Sequence, residues 1–364
     1  MNIALLLRSL YCLILVVRGQ LSLLLADGKI GMNIDGNPLQ LNVDTGSPHT
    51  LVVYKDWYED TYGKGACKTL PSGCYSCPSK CDPYAKEVFV RSFNDGSEYS
   101  TVYLKGALSV NGKMVGDIEF GLVLNFTRGP ISSDPFPHPM FGIGYDSIPG
   151  HYTVLHQLYA RKLVPEFAYQ ICSPTPPFVF AGQLVLGSSQ GACSIQRPIT
   201  ILPMVMLPTL SALSSAIFSY GLVSSKKHDA FVRPLDNLFI LFDTGTESLA
   251  FPHYIFMDVK EKLINFASRD SGRTVNARVV NGLLCIGFPA IQYLPALTFS
   301  LGVKDKPFEV KILPKDYISR CDGQWCILRI LYVGKHIILG RPFFSSYFLG
   351  ADLENAKLKI ANYQ

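Results

Sequence analysis

Leu39-Gln40-Leu41-Asn42-Val43-Asp44-Thr45-Gly46-Ser47 and Leu238-Phe239-Ile240-Leu241-Phe242-Asp243-Thr244-Gly245-Thr246 are two versions of one construction: an apolar strand running into Asp-Thr-Gly and then a hydroxyl residue. Glycine in third place permits a sharp turn that carries the aspartate out at the strand end. A second echo follows in each half, Met140-Phe141-Gly142 and Ile338-Leu339-Gly340, two large apolar residues before a glycine. A strand bearing that tripeptide would lie beside each aspartate loop, and two lobes of like construction would meet with Asp44 and Asp243 facing. One Asp-Thr-Gly-Ser/Thr arises by chance in roughly one chain in a hundred of this length, and alone it reads as an ordinary turn. Two copies, each behind an apolar strand and each followed by the echo, read as a duplicated lobe.

The rest of the chain agrees with a mostly β protein. Of its 364 residues 48% are hydrophobic and 17% charged, which excludes a disordered chain. Its 24 prolines and 30 glycines are spread between short runs rich in Val, Ile, Leu, Phe and Tyr, the pattern of many short strands with frequent turns. The net charge of +5 is modest and no Lys/Arg run is longer than a pair, so a clustered basic face for nucleic acid is not expected.

Residues 1–19 read as a secretory signal: Arg8 precedes the uncharged stretch Ser9 to Val17, and Val17-Arg18-Gly19 suits cleavage. A membrane span would need Leu21 to Leu25 inserted as well, with Arg18 and Gln20 at its centre, so Leu21 to Leu25 is read as the first strand of the mature chain. Without Cys12, nine cysteines remain, of which Cys67, Cys74, Cys77 and Cys81 lie close together. No second cluster or His pair completes a tetrahedral metal site, and an oxidising compartment favours disulfides. Cys172 with Cys193, and Cys285 with Cys321 or Cys326, are the candidate pairings among the other five, leaving one thiol unpaired. Asn125-Phe126-Thr127 is the single N-glycosylation sequon.

Two carboxylates within hydrogen-bonding distance resist ionising together and share a proton over an acidic range. The ionised member can take a proton from water that attacks a peptide carbonyl, while the protonated member donates to the carbonyl oxygen. No cofactor or metal is required. Ser47 and Thr246 are placed to hydrogen-bond the outer carboxylate oxygens, and Thr45 and Thr244 to bond across the lobe interface and stiffen the loops around Gly46 and Gly245.

On these motifs the chain resembles the pepsin-like eukaryotic aspartic proteases over nearly all of its length beyond residue 20. Ile30-Gly31-Met32-Asn33-Ile34 with Asn37-Pro38-Leu39-Gln40 is similar to the family's opening strand and turn, and Phe141-Gly142-Ile143-Gly144-Tyr145 to its first-lobe glycine segment. Thr153 to Ile171 resembles the helix and strand that come next, and Ile337 to Ala361 the C-terminal signature. The resemblance implies a bilobal β fold, residues 20–190 forming one lobe and 191–364 the other, with a peptide-binding cleft between them. It implies an endopeptidase acting on peptides or unfolded proteins, monomeric, and secreted or held in an acidic vacuole-like compartment.

The family closes its cleft with a flap hairpin carrying a Tyr before a glycine-rich tip. Phe93-Asn94-Asp95-Gly96 occupies the matching place here, so the lid is apolar and lacks the hydroxyl, with Tyr99 or Tyr103 as candidate substitutes. Leu51 stands where the family commonly has Trp, and Glu247 follows the second motif where Ser is usual; Glu247 is expected to be solvated. The stretch from Gln20 to Asp44 leaves no room for the usual inhibitory pro-segment, which implies either no zymogen stage or a sequence incomplete at its start.

Two competing readings remain. Gly187-Ser188-Ser189-Gln190-Gly191 fits the serine-hydrolase nucleophile pattern, which needs a helix after it, but Pro198 and Pro203 make residues 192–203 a poor helix. A protein of the same fold that binds peptides without cutting them is the other, and the intact aspartate pair weighs against it.

Overall fold

Leu39, Leu41 and Val43 are buried while Pro38 and Gln40, on the alternate positions, are exposed, the alternation of a strand with one face on a core. This strand, Asn37–Asp44, lies in the computed structural model within a sheet of thirteen strands; a second sheet has ten. The structure describes residues 19–363 except 79–80, 131–135, 146–151, 207–209, 225 and 227–228. The signal-peptide reading therefore lies almost wholly outside the described residues. Each sheet carries one of the aspartate strands, and the chain is mostly β and bilobal.

The two echoes are explained by pairing. Asn37–Asp44 runs parallel to Met140–Gly142, with Val43 opposite Phe141 and Asp44 opposite Gly142. Ala230–Phe242 runs parallel to Ile337–Leu339, with Phe242 opposite Leu339. The glycine in each echo is a matter of space. A Cβ on Gly142 would stand 2.4 Å from the backbone of His49, and one on Gly340 would stand 2.2 Å from Thr246 O. Each aspartate loop folds back over the glycine of its partner strand, and no larger residue fits beneath it.

Leu21–Ala26 forms a strand, as the sequence suggested, pairing with Gly182–Leu186 and Lys29–Ile34. The chain's last two strands, Tyr347–Asp352 and Lys357–Asn362, join the thirteen-stranded sheet, Tyr347–Asp352 against Ala168–Cys172. Buried Tyr169, Phe343, Phe344 and Leu349 thus belong to one core running beneath both lobes. The helix Val154–Ala160 is capped by Thr153, whose hydroxyl accepts from His156 N–H at 3.0 Å. Gly187 to Gly191 forms a loop after Gly182–Leu186 in which Ser188 donates to Gln190 O at 2.7 Å; no helix follows, so the nucleophile-elbow reading falls.

Four disulfides join Cys67 to Cys74, Cys77 to Cys81, Cys172 to Cys193 and Cys321 to Cys326. The expected bond from Cys285 to Cys321 or Cys326 is not made, and Cys285 is free and buried. In the antiparallel pair of Leu283–Gly287 with Trp325–Tyr332, Cys285 lies opposite Ile327 and Cys326 opposite Ile286. Alternation puts the two sulfurs on opposite faces, while Cys321 lies directly across from Cys326 on the other neighbour.

Candidate active site

Thr45 and Thr244 lock the two loops together. Thr45 N–H donates to Thr244 Oγ1 at 3.1 Å and Thr244 N–H to Thr45 Oγ1 at 3.0 Å. Each hydroxyl then donates across the interface to the carbonyl two residues before the other threonine, Thr45 to Phe242 O at 2.7 Å and Thr244 to Val43 O at 2.6 Å. Both threonines are buried, so all four bonds are shielded from water.

The carboxylates held by this lock lie close together, both bordering Gly245, where an added Cβ would stand 3.0 Å from Asp44 Oδ1 and 3.1 Å from Asp243 Oδ1. Gly46 N–H donates to Asp44 Oδ1 and Gly245 N–H to Asp243 Oδ1, each at 2.8 Å. A Cβ on Gly46 would lie 2.7 Å from Asp243 Cγ, and one on Gly245 would lie 3.0 Å from Asp44 Oδ1. Glycine in the motif therefore serves the close approach of the opposite aspartate as well as the turn. Burial raises the pKa of Asp44 well above the ordinary carboxylate value, and the neighbouring charge of Asp243 raises it further.

The hydroxyl residues of the two motifs differ. Thr246 Oγ1 donates to Asp243 Oδ2 at 2.7 Å. Ser47 gives Asp44 its backbone N–H, while its hydroxyl accepts from His49 N–H at 3.2 Å. The outer-oxygen bond expected of both is made by Thr246 alone, because the first loop turns back at His49.

The hairpin of Phe89–Ser92 with Glu98–Val110 carries Phe93, Asn94, Asp95 and Gly96 at its tip. Asp95 closes the tip by accepting from Ser97 N–H at 2.9 Å and Ser97 Oγ at 2.7 Å, and Gly96 takes a positive φ of 81°. Asn94 is exposed. Phe93 meets Tyr99 edge-on with ring centroids 5.1 Å apart and, like Trp57 and Phe126, packs against the buried cluster of Leu51, Tyr99, Val123 and Met140.

Sequence reading missed what ties the hairpin to the first aspartate loop. Tyr103 Oη lies 3.3 Å from His49 Nδ1 and accepts from Arg91 Nη2 at 3.2 Å. Tyr103 is one of the two candidate substitutes for the flap hydroxyl, but the sequence assigns His49 no role, since nothing local shows that the loop returns beneath the hairpin. Glu247 is exposed, as expected, yet pairs with Arg341 at 3.1 Å and Arg329 at 3.7 Å.

A cavity of about 730 Å³ lined by Tyr220, Arg233, Tyr254, Met257 and Ile264 lies on the second lobe; no residue of either aspartate loop borders it. Among the described residues no group of three or more His, Cys, Asp or Glu could hold a metal ion, and no helix is long and apolar enough to cross a membrane.

A family model described as eukaryotic aspartyl protease matches residues 28–363. The chain belongs to that family. Barrierpepsin of Saccharomyces cerevisiae is 23% identical over 285 residues, covering 75% of this chain and 46% of barrierpepsin, so the chain spans less than half the length of that relative. The crystal structure of the aspartic proteinase from Irpex lacteus matches with a TM-score of 0.68 at 14% identity, over 95% of this chain and 98% of that one. This aspartyl protease therefore shares the fold of a solved aspartic proteinase at low identity.

Proposed function

We propose that this aspartyl protease is an endopeptidase in which Asp44 and Asp243 activate water at acidic pH. The observation that carries the reading is the close approach of the two carboxylates at the point where the lobes interlock, and burial that pushes Asp44 towards its protonated form supports it. In the working pair one proton rests with Asp44. The other carboxylate takes a proton from the bound water as its oxygen attacks the peptide carbonyl carbon, and Asp44 gives its proton to the carbonyl oxygen. The resulting gem-diol collapses with cleavage of the C–N bond as Asp44 takes back a hydroxyl proton, and the proton taken from water passes to the leaving amine, which leaves the pair as it began. Thr45, Gly46, Ser47, Thr244, Gly245 and Thr246 hold this geometry, and Phe93 to Gly96 cover the substrate as an apolar flap. We place the lobe boundary at residues 190/191, in the loop between Gly182–Leu186 and Thr200–Pro203; Thr200–Pro203 and the last two strands, beyond it in sequence, return to the thirteen-stranded sheet.

Substrates are unfolded proteins or peptides with apolar side chains flanking the cut. Four disulfides and an exposed Asn125 in the sequon support a secreted or vacuole-like, glycosylated protein. The test is digestion of denatured haemoglobin between pH 3 and 6, with pepstatin and an Asp243→Ala variant as controls. Cleavage abolished by both supports the reading. Wild type as inactive as the variant on every substrate would favour peptide binding without cleavage, and cleavage indifferent to both controls would remove the pair from the mechanism.

A further inference from the structure

Arg341 follows Gly340 at the end of the echo strand and opens the short helix Arg341–Ser346. Its backbone N–H donates to Thr246 O at 3.0 Å, inside the second aspartate loop. Its side chain is buried, only 8% exposed, and its Nη1 reaches Glu247 Oε1 at 3.1 Å. The same nitrogen lies 3.9 Å from Asp27 Oδ1, in the other lobe. The guanidinium carbon stands 5.3 Å from the centre of the Phe180 ring, a cation–π contact. Gly28 completes the cradle, for a Cβ there would lie 2.5 Å from Nη2.

The turn at Asp27 and Gly28 supports the first aspartate directly. Val43 N–H donates to Gly28 O at 2.9 Å, one residue before Asp44. A single buried cation thus touches the turn on which the Asp44 strand rests and the residue that closes the Asp243 loop. Arg329 holds Glu247 from its other side, donating from Nη1 to Glu247 O at 3.0 Å.

Stability alone does not account for an arginine here. Arg341 Nε has no hydrogen-bond partner among the described residues. Both carboxylates are largely exposed, 64% for Glu247 and 66% for Asp27, where ion pairs contribute little. An apolar side chain would fill the space over Phe180 without the cost of burying a charge. What the guanidinium adds is a directional hydrogen bond to Glu247 and a longer-range ion pair with Asp27 on the other lobe.

We propose that Arg341, bridging Glu247 and Asp27, is a positioning residue that fixes the Asp243 loop against the support of Asp44. The proposal rests on the reading of Asp44 and Asp243 as the reacting pair. Its test compares Arg341→Met, Arg341→Lys, Glu247→Gln and Asp27→Asn in kcat, KM and thermal midpoint on a defined peptide. Alongside, affinity is measured for a peptide inhibitor bearing a tetrahedral hydroxyl at the scissile position and for the same peptide without it.

Arg341→Met and Glu247→Gln are expected to lower kcat about tenfold with KM within about twofold, because displacement at the reacting centre acts on the transition state. The hydroxyl-bearing inhibitor should weaken by the same factor and its hydroxyl-free analogue not at all. The Glu247→Gln, Arg341→Met double variant should be no worse than Arg341→Met, Arg341→Lys should recover part of the loss, and Asp27→Asn should lose least, its contact being longest. Glu247 is exposed, so Glu247→Gln is safe for folding. Retention of wild-type kcat by that variant overturns the proposal, as do losses shared equally by KM and the hydroxyl-free analogue, which mark a merely structural role. A wild type that neither cleaves nor binds either inhibitor overturns the aspartate reading and this proposal with it, whereas an active wild type with unchanged variants overturns the bridge alone.

Discussion

The two aspartate loops share a sequence motif but are held by different surroundings. Both have a glycine N–H on Oδ1, a threonine locked across the interface and a glycine beneath the turn. Past the glycine they diverge. The second loop puts the Thr246 hydroxyl on its carboxylate and is anchored by Glu247 to Arg341 and Arg329. The first spends its Ser47 hydroxyl on His49, whose ring meets Tyr103 under the flap hairpin. The shared features place the two carboxylates together. The divergent ones attach one loop to the lobe interface and the other to the flap.

The largest effect expected treats the loops alike. Asp44→Asn and Asp243→Asn should each lower the rate of peptide cleavage by about a thousandfold or more, since neither half of the acid–base pair works without the other. A variant that keeps a tenth of the wild-type rate would break the equivalence.

Gly142→Ala and Gly340→Ala should each destabilise the protein by about 2 kcal/mol or more, because the added methyl meets backbone that cannot swing away. Chemical denaturation reads this directly. Near-equal losses would show that the echo serves the same purpose in both lobes.

The hydroxyls should separate the loops. Thr246→Ala removes a donor from Asp243 and is expected to cost about tenfold in kcat, while Ser47→Ala, which leaves the N–H on Asp44 in place, should cost about twofold. Equal losses would erase the asymmetry.

Stability should separate the loops through pH. The folded-state pKa of Asp44 is raised by burial and by Asp243, so its proton favours folding. That contribution is complete below the ordinary carboxylate range and is lost as pH rises through the raised value. Asp44→Asn removes the dependence, so its thermal midpoint should exceed that of wild type at pH 7 and approach it at pH 3. A difference that is flat in pH would mean that Asp44 is not held towards its protonated form. The smallest effect is expected at the flap, where Tyr103→Phe loosens the contact with His49 and should lower kcat/KM about threefold, measured on a short peptide.

Much of the fold was legible because the constraints that make it are local. An apolar run into Asp-Thr-Gly marks each strand end, alternating with polar residues in the first and continuous in the second, and the glycine of each echo is forced by the loop that folds over it. Leu21 to Leu25 was readable as a strand once the charge pattern argued against a membrane span, and the helix and strand between Thr153 and Ile171 were readable from the family resemblance. What escaped depends on register or on distant chain segments. The free state of Cys285 reflects which face of a strand it occupies. Ser47 differs from Thr246 because His49 comes back to it. Arg341 was visible within the C-terminal signature, but its contacts with Asp27 and Phe180 join a helix near the C-terminus to a turn near the N-terminus and a loop at mid-chain.

The most direct test of the central claim is the pH–rate profile for cleavage of one defined peptide by wild type, Asp44→Asn and Asp243→Asn. The shared-proton pair predicts an acidic bell for wild type and cleavage at least about a thousandfold slower for either variant at every pH. A variant that retains a bell of comparable height would contradict it.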